Sequence, residues 1–208
     1  MRRVGVLVSG RGSNLQALIA AAREGRLGGE VAVVISNVAE VPALDRARAA
    51  GVPAVVCDHR GRPREEHDRA VLRVLQDHGV DLVCLAGYMR LLSAPFLSAL
   101  SHRVVNIHPA LLPAFPGVHA QAQALAYGVR VTGCTVHLVD AGMDTGPILA
   151  QTAVPILDGD DEATLRERLL LKEHELLPAV LQWIADGRVE VTPAAAGARP
   201  RVRIKPAR

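Results

Sequence analysis

Aromatic residues are nearly absent from this 208-residue chain: Tyr88, Tyr127, Phe96, Phe115 and Trp183 are the whole set. Proteins that hold single-stranded nucleic acid stack bases on aromatic platforms, and so few rings argue against that class. Lysine is scarcer still, with 2 residues against 22 arginines. Such a ratio reflects coding bias and carries no argument about phosphate recognition. Cysteine is limited to Cys57, Cys84 and Cys134, far apart and without a C-x-x-C pair. That spacing excludes a disulfide framework and fits a reducing compartment. No apolar run approaches the roughly 18 residues of a membrane span, and the first apolar stretch, Val4–Val8, is too short for a signal peptide. The expectation is a cytoplasmic protein without membrane or nucleic-acid partners. The formal net charge of +3 does not contradict this, because residues 199–208 hold five basic residues and no acid. The rest of the chain is slightly acidic, so the basicity sits in a tail.

What the chain does have is apolar residues in a regular rhythm. Half of it is hydrophobic and 22% is charged, enough to bury a core and remain soluble. Short apolar runs at Val4–Ser9, Glu30–Ser36, Pro53–Cys57 and Asp81–Ala86 alternate with helical stretches at Asn14–Arg23, Pro42–Ala50 and Arg64–His78. Nearly continuous apolar strands separated by helices define a parallel sheet covered on both faces. The second half adds strands at Arg103–Pro109, Val131–Val139 and Ile148–Ile156, a helix at His119–Tyr127, and a long helix at Glu162–Ala185. The predicted fold is α/β, a doubly wound, mostly parallel sheet with helices on both faces and a Rossmann-like N-terminal half. One domain is expected over residues 1–192, with a phosphate-binding half at 1–100 and a catalytic half at 101–192. Residues 193–208 are expected to form a flexible basic tail.

The first strand runs into Ser9-Gly10-Arg11-Gly12-Ser13-Asn14-Leu15 at the start of a helix. Two glycines permit a sharp turn, and a helix start presents unpaired N–H groups to an anion. An ordinary strand-to-helix turn with a capped helix fits the same residues. A Walker loop is excluded because no lysine follows the glycines. A dinucleotide loop requires a third glycine where Leu15 stands, and an acid where the second strand ends in Ser36-Asn37. A small phosphorylated substrate fits the loop better than a nicotinamide cofactor.

Alternation along Asn106-Ile107-His108-Pro109 puts Asn106 and His108 on one face, and Pro109 ends the strand at once. His108 is therefore expected to be exposed at the sheet's carboxyl edge. Asp144 lies far along the chain, between Gly142 and Gly146. An amide donor, an imidazole and a loop carboxylate can build an acid–base and oxyanion site without a metal. A satisfied structural histidine and a turn-capping aspartate also fit these residues. His119 and His137 lack the spacing of a metal site with His108, and His137 reads as a wall of the same site. The remaining histidines, His59, His67, His78, His102 and His174, read as surface residues, and Cys134 as core.

The segments SGRGSNLQA, LAGYMRLL, NIHPALLP, PGVHAQAQAL, TGCTVHLVDAGMDTGPI and KEHELLP resemble, in order, the phosphoribosylglycinamide formyltransferase family of purine synthesis. The resemblance implies formyl transfer from 10-formyltetrahydrofolate, a cosubstrate, to the amine of 5-phosphoribosylglycinamide, with no metal. It implies catalytic roles for Asn106, His108 and Asp144, with direct attack by the amine and the formyl oxygen held by Asn106 and a protonated His108, and ribotide contacts from Gly12, Ser13, Asn14 and Glu173. It assigns folate contacts to Arg64, Met89, Arg90, Leu91, Leu92, Asn106, Asp140, Ala141, Gly142, Met143 and Asp144. Asp144 is expected to raise the His108 pKa. Leu85, Met89, Leu92 and Val139 are expected to form an apolar pocket for the pterin. Small molecules are the expected partners, and the chain is expected to be a monomer or weak homodimer. Ala114 stands where many relatives carry a basic residue, and Gly5 has no assigned role. Other readings remain. A tRNA formyltransferase would carry a further RNA-binding domain, and a formyltetrahydrofolate hydrolase a preceding regulatory one. A phosphometabolite-binding module would have no need of Asn106, His108 and Asp144 together.

Overall fold

The computed structural model describes residues 1–192 and 200–206. Its elements are, in chain order, β1 (Arg2–Val8), α1 (Ser13–Arg23), β2 (Gly29–Ser36), α2 (Pro42–Ala49), β3 (Ala54–Val56), α3 (Arg64–Asp77), β4 (Leu82–Leu85), α4 (Ala94–Ala99), β5 (Val104–His108), α5 (Ala120–Tyr127), β6 (Val131–Leu138), β7 (Ile148–Pro155), α6 (Glu162–Ala185), β8 (Val189–Thr192) and β9 (Arg201–Ile204). Seven strands form one sheet in the order β3-β2-β1-β4-β5-β6-β7. The first five run parallel, and β6 and β7 are joined by antiparallel ladders. This is the doubly wound, mostly parallel α/β sheet expected from the apolar rhythm. Among the described residues, no helix is long and apolar enough to cross a membrane.

Each central strand is apolar on both sides because each side meets a helical layer. Val4, Val6 and Val8 of β1 pack with Leu15 and Leu18 of α1, Leu44 of α2 and Leu177 and Leu181 of α6. The opposite face carries Leu7 and Val83 against Val71 and Leu75 of α3 and Phe96 of α4. Gly5 acquires a structural explanation here. A Cβ on it would lie 2.5 Å from the Leu75 side chain and 3.1 Å from Val80, so α3 sits on β1 only because this position is bare. The six-residue helix α4 was not anticipated; it is too short to show a helical period.

The α3–α4 layer ends before the far side of the sheet. No residue of β6 joins its apolar cluster. On that uncovered face, Asn106 of β5 is opposite His137 of β6, and His108 is opposite Thr135. Polar side chains sit there because loops, not a helix, cover them.

The basic C-terminal segment departs from expectation. Residues 193–199 and 207–208 lie outside the described residues, but β9 pairs with β8 in an antiparallel hairpin. Val189, Val191 and Val202 turn inward and pack against the main core, while Arg201 and Arg203 face out. The period-2 alternation of Arg201-Val202-Arg203-Ile204 was legible, but its charge and the flanking Ala, Gly and Pro masked it. Deleting residues 200–208 should therefore lower unfolding stability by about 1–3 kcal/mol, the scale for one or two partly buried aliphatic side chains. Urea denaturation of the shortened and full-length chains measures this, and an unchanged midpoint would mean that the hairpin stands outside the cooperative unit.

Candidate active site

A cavity of about 490 Å³ opens at the carboxyl ends of β4 and β5, the side where open α/β sheets bind ligands. Leu85, Leu92 and Val139 contribute apolar wall, and Asn106, His108, His137 and Asp144 contribute polar wall. Met89, Leu91, Val118 and Met143 ring the cavity and are more than half exposed. Large apolar side chains held in water around a cavity mark a surface that a flat apolar ligand would cover.

The polar groups are fixed from several directions. Nδ1 of His137 donates to the Leu138 carbonyl at 2.9 Å, which leaves Nε2 3.1 Å from the Asn106 amide nitrogen and 3.6 Å from Oδ1 of Asp144. His108 is not exposed at the rim as its strand-end position implied; only 4% of its surface is accessible. The segment after Pro109 folds back over it, so that His108 Nε2 donates to the Phe115 carbonyl at 2.8 Å. The same segment is tied to the sheet where Leu112 N donates to the Thr135 hydroxyl at 3.0 Å. With Nε2 engaged, Nδ1 of His108 faces Oδ2 of Asp144 at 3.4 Å. Asp144 takes a left-handed backbone (φ 54°) and accepts a hydrogen bond from Gly117 N at 2.8 Å. Its carboxylate therefore links the loop after β6 to the loop after β5.

The electrostatics correct one expectation. Asp144 does push the His108 pKa upward, as does the Phe115 carbonyl, but burial is the larger effect and the net direction is downward. Burial thus favours the neutral imidazole. Burial pushes the Asp144 carboxyl up, yet His137, the Gly117 N–H and His108 together outweigh it and leave Asp144 below the usual range. The cysteines have no part in this chemistry. Cys84 and Cys134 are fully buried, with thiols pushed up to about 12 by desolvation.

The other sequence-derived positions divide. Met89, Arg90, Leu91, Leu92, Asp140, Ala141, Gly142 and Met143 all line the cavity. Asp140 is also occupied within its own loop, accepting from Gly142 N at 3.1 Å and from the Thr145 hydroxyl at 2.6 Å. Arg64 is exposed at the start of α3 and is not part of the cavity wall. Gly12, Ser13, Asn14 and Glu173 lie beside the cavity, not in it. The two regions meet where Ser9 N donates to the Gly87 carbonyl at 3.1 Å. Gly12 caps α1 with φ 75°, and a Cβ there would strike Ala43 of α2 at 2.7 Å. It is packing against α2, more than room for an anion, that demands glycine at this position. Asn14 is turned inward, donating one of its two amide hydrogens to Glu173 at 2.7 Å. Burial raises the Glu173 pKa against the lowering effect of that bond. His67 also departs from the surface reading: it is fully buried, and its Nε2 donates to the Cys57 carbonyl at 2.9 Å. Among the described residues, no three His, Cys, Asp or Glu side chains converge as metal ligands.

Glu162 and Arg166, which sequence reasoning did not select, also line the cavity. They form an i,i+4 ion pair on α6, whose N-terminus is closed by a capping box between Asp161 and Thr164. Nothing in their local sequence distinguishes them from an ordinary solvent-facing pair.

The carboxyl edge of an open α/β sheet thus brings an amide, an imidazole and a carboxylate together around one apolar-walled cavity. The family profile described as "Formyl transferase" matches residues 2–181. The chain belongs to the formyl transferase family. It is 50% identical over 190 residues to the phosphoribosylglycinamide formyltransferase of Mycobacterium tuberculosis, covering 91% of this chain and 87% of that protein. It is also 50% identical over 190 residues to the human "Trifunctional purine biosynthetic protein adenosine-3", but there the match spans only 19% of the longer protein. The crystal structure of glycinamide ribonucleotide transformylase 1 from Symbiobacterium toebii superimposes with a TM-score of 0.93 at 53% identity, covering 99% of this chain and 95% of that one.

Asp144→Asn should move the His108 midpoint still lower, because it removes an upward influence and leaves burial in place. NMR titration of the imidazole in both proteins measures the shift. An unchanged midpoint would mean that Asp144 acts by position and not by charge.

Proposed function

We propose that the chain transfers the formyl group of 10-formyltetrahydrofolate to the amine of 5-phosphoribosylglycinamide, as a single catalytic domain over residues 1–192 with β9 packed on its core. The observation that carries this reading is the convergence of Asn106, His108 and Asp144 on one apolar-walled cavity in a chain of the formyl transferase family. One domain is supported by a core cluster that runs from Val4 to Leu181 and leaves no seam between the halves.

In this reading the pterin occupies the cavity between Met89–Leu92 and the loop from Asp140 to Asp144, and the ribotide phosphate takes the start of α1 around Ser13. Glu173 and Asn14 stand beside that phosphate site. The substrate amine attacks the formyl carbon, and the carbonyl electron pair moves onto oxygen. Asn106, with one amide hydrogen directed to His137, has a second for that oxygen. His108 starts neutral and takes the proton that the attacking nitrogen loses. Asp144, 3.4 Å away, stabilises the imidazolium so formed. The tetrahedral species collapses by breaking the bond between the formyl carbon and the folate nitrogen, and the same proton passes to that nitrogen. No covalent enzyme intermediate is needed. Burial is useful here because it keeps His108 ready to accept a proton, while Asp144 limits how far the lowering goes.

The direct test supplies both substrates and follows tetrahydrofolate and the formylated ribotide. Turnover that requires both supports the proposal. Formate release without ribotide would make the chain a hydrolase, and binding without turnover would make it a phosphometabolite-binding module. His108→Ala and Asp144→Asn should each lower kcat by about 10²–10⁴, and the double variant should lose less than the product of the two. Ser13→Ala removes one donor to a charged acceptor, about 1.5–3 kcal/mol, so the ribotide KM should rise by about one to two decades. The Kd for tetrahydrofolate should not follow. If folate binding weakens and ribotide binding is spared, the two subsites are assigned the wrong way round.

A further inference from the structure

Between β4 and α4, residues 86–93 adopt neither helix nor strand. This segment nevertheless supplies Met89, Arg90, Leu91 and Leu92 to the cavity wall. Backbone without a ladder keeps its place only through other bonds. Among the described residues, two N–H groups between Tyr88 and Ser93 find a protein acceptor, and both acceptors are side chains. Met89 N donates to the hydroxyl of Ser9 at 2.8 Å, and Ser93 N donates to Oδ2 of Asp68 at 2.7 Å. The four wall residues are thus pinned at each end by a residue remote in sequence.

Both pins are themselves held. The Ser9 hydroxyl donates to Oδ1 of Asn37 at 2.5 Å, which turns its lone pairs toward Met89 N. Asn37 is 3% exposed, and its carbonyl accepts from Nδ1 of His59 at 2.7 Å. Asp68 is 2% exposed, and its other oxygen lies 3.3 Å from His67, which is bonded to the Cys57 carbonyl. A carboxylate buried this deeply is costly unless its hydrogen bonds are made, and one of them is the N-cap amide of α4. Ser9 also immediately precedes the phosphate-type loop, so one hydroxyl joins the backbone of one subsite to that of the other.

We infer that Ser9 and Asp68 are positioning residues that set the Met89–Leu92 wall, and that Ser9 ties this wall to the loop at the start of α1. The inference rests on the proposed function for its choice of ligand, the folate, and the two can fail separately. Calorimetric titration with tetrahydrofolate under anaerobic conditions is made on the wild type, Ser9→Ala, Ser9→Thr, Asp68→Ala and Asp68→Asn, with 5-phosphoribosylglycinamide as the second ligand. Ser9→Ala should raise the tetrahydrofolate Kd by about two- to tenfold, the effect of one neutral hydrogen bond. Ser9→Thr, which keeps the hydroxyl, should restore it. Asp68→Ala should raise the Kd by about ten- to a hundredfold, as expected for a bond to a charged acceptor, and Asp68→Asn, which keeps an acceptor for Ser93 N, should recover most of that loss. The ribotide Kd should stay within about twofold, and kcat at saturating folate should fall far less than kcat/KM. If Asp68→Ala does not fold, the Ser9 pair and Asp68→Asn decide the matter alone. A wild type that binds no tetrahydrofolate would overturn the proposed function. A wild type that binds it, with Ser9→Ala and Ser9→Thr alike in Kd or with losses confined to kcat, would overturn the positioning roles.

Discussion

The antiparallel ladder between β5 and β6 is the constraint on which the site depends. It sets Asn106 opposite His137 and His108 opposite Thr135, on a sheet face that α3 and α4 do not reach. A parallel neighbour would have required a crossover helix, and that helix would have covered these four side chains. The reversal of direction leaves the face to loops, and loops can carry the compensating polar groups. The Phe115 carbonyl takes Nε2 of His108, and the Asp144 carboxylate takes the Gly117 N–H. Each loop is held by a group that the site needs.

Burial and charge then act against one another on one imidazole. Desolvation lowers the affinity of His108 for a proton, and Asp144 with the Phe115 carbonyl partly restores it. A histidine at an exposed strand end would have had only the second influence. The covering segment after Pro109 thus changes chemistry as well as shape, which is a reason for its tight connections to Thr135 and Gln151.

The sheet and its helices other than α4 were legible in the sequence because they rest on local pattern, apolar runs and period-2 alternation. Asn106, His108 and Asp144 were instead singled out by the family resemblance, since the local pattern fitted a structural histidine and a turn-capping aspartate equally. What escaped the reading depends on contacts between distant segments. The inward turn of Asn14 is decided by Glu173 on α6, the bareness of Gly12 by Ala43 on α2, and the burial of His67 by the Cys57 carbonyl. The hairpin of β8 and β9 was hidden by a composition of tail type, although Val202 packs on the core. Arg64 shows the converse: a motif match supplied a role, but the fold leaves the side chain outside the cavity.

Helix α6 joins these distant parts. Glu162 and Arg166 face the cavity, and Glu173 reaches Asn14 in the first turn of α1. At about 100° per residue, the intervals of four and seven keep all three on one stripe. The helix therefore serves as a ruler, holding Arg166 and Glu173 about 10 Å apart along its axis. A single residue inserted between them would rotate one by about 100° away from the other. Substitutions along this stretch can be absorbed singly, but a change of length cannot, so variation in α6 should be confined to side-chain identity between its capping box and Glu173.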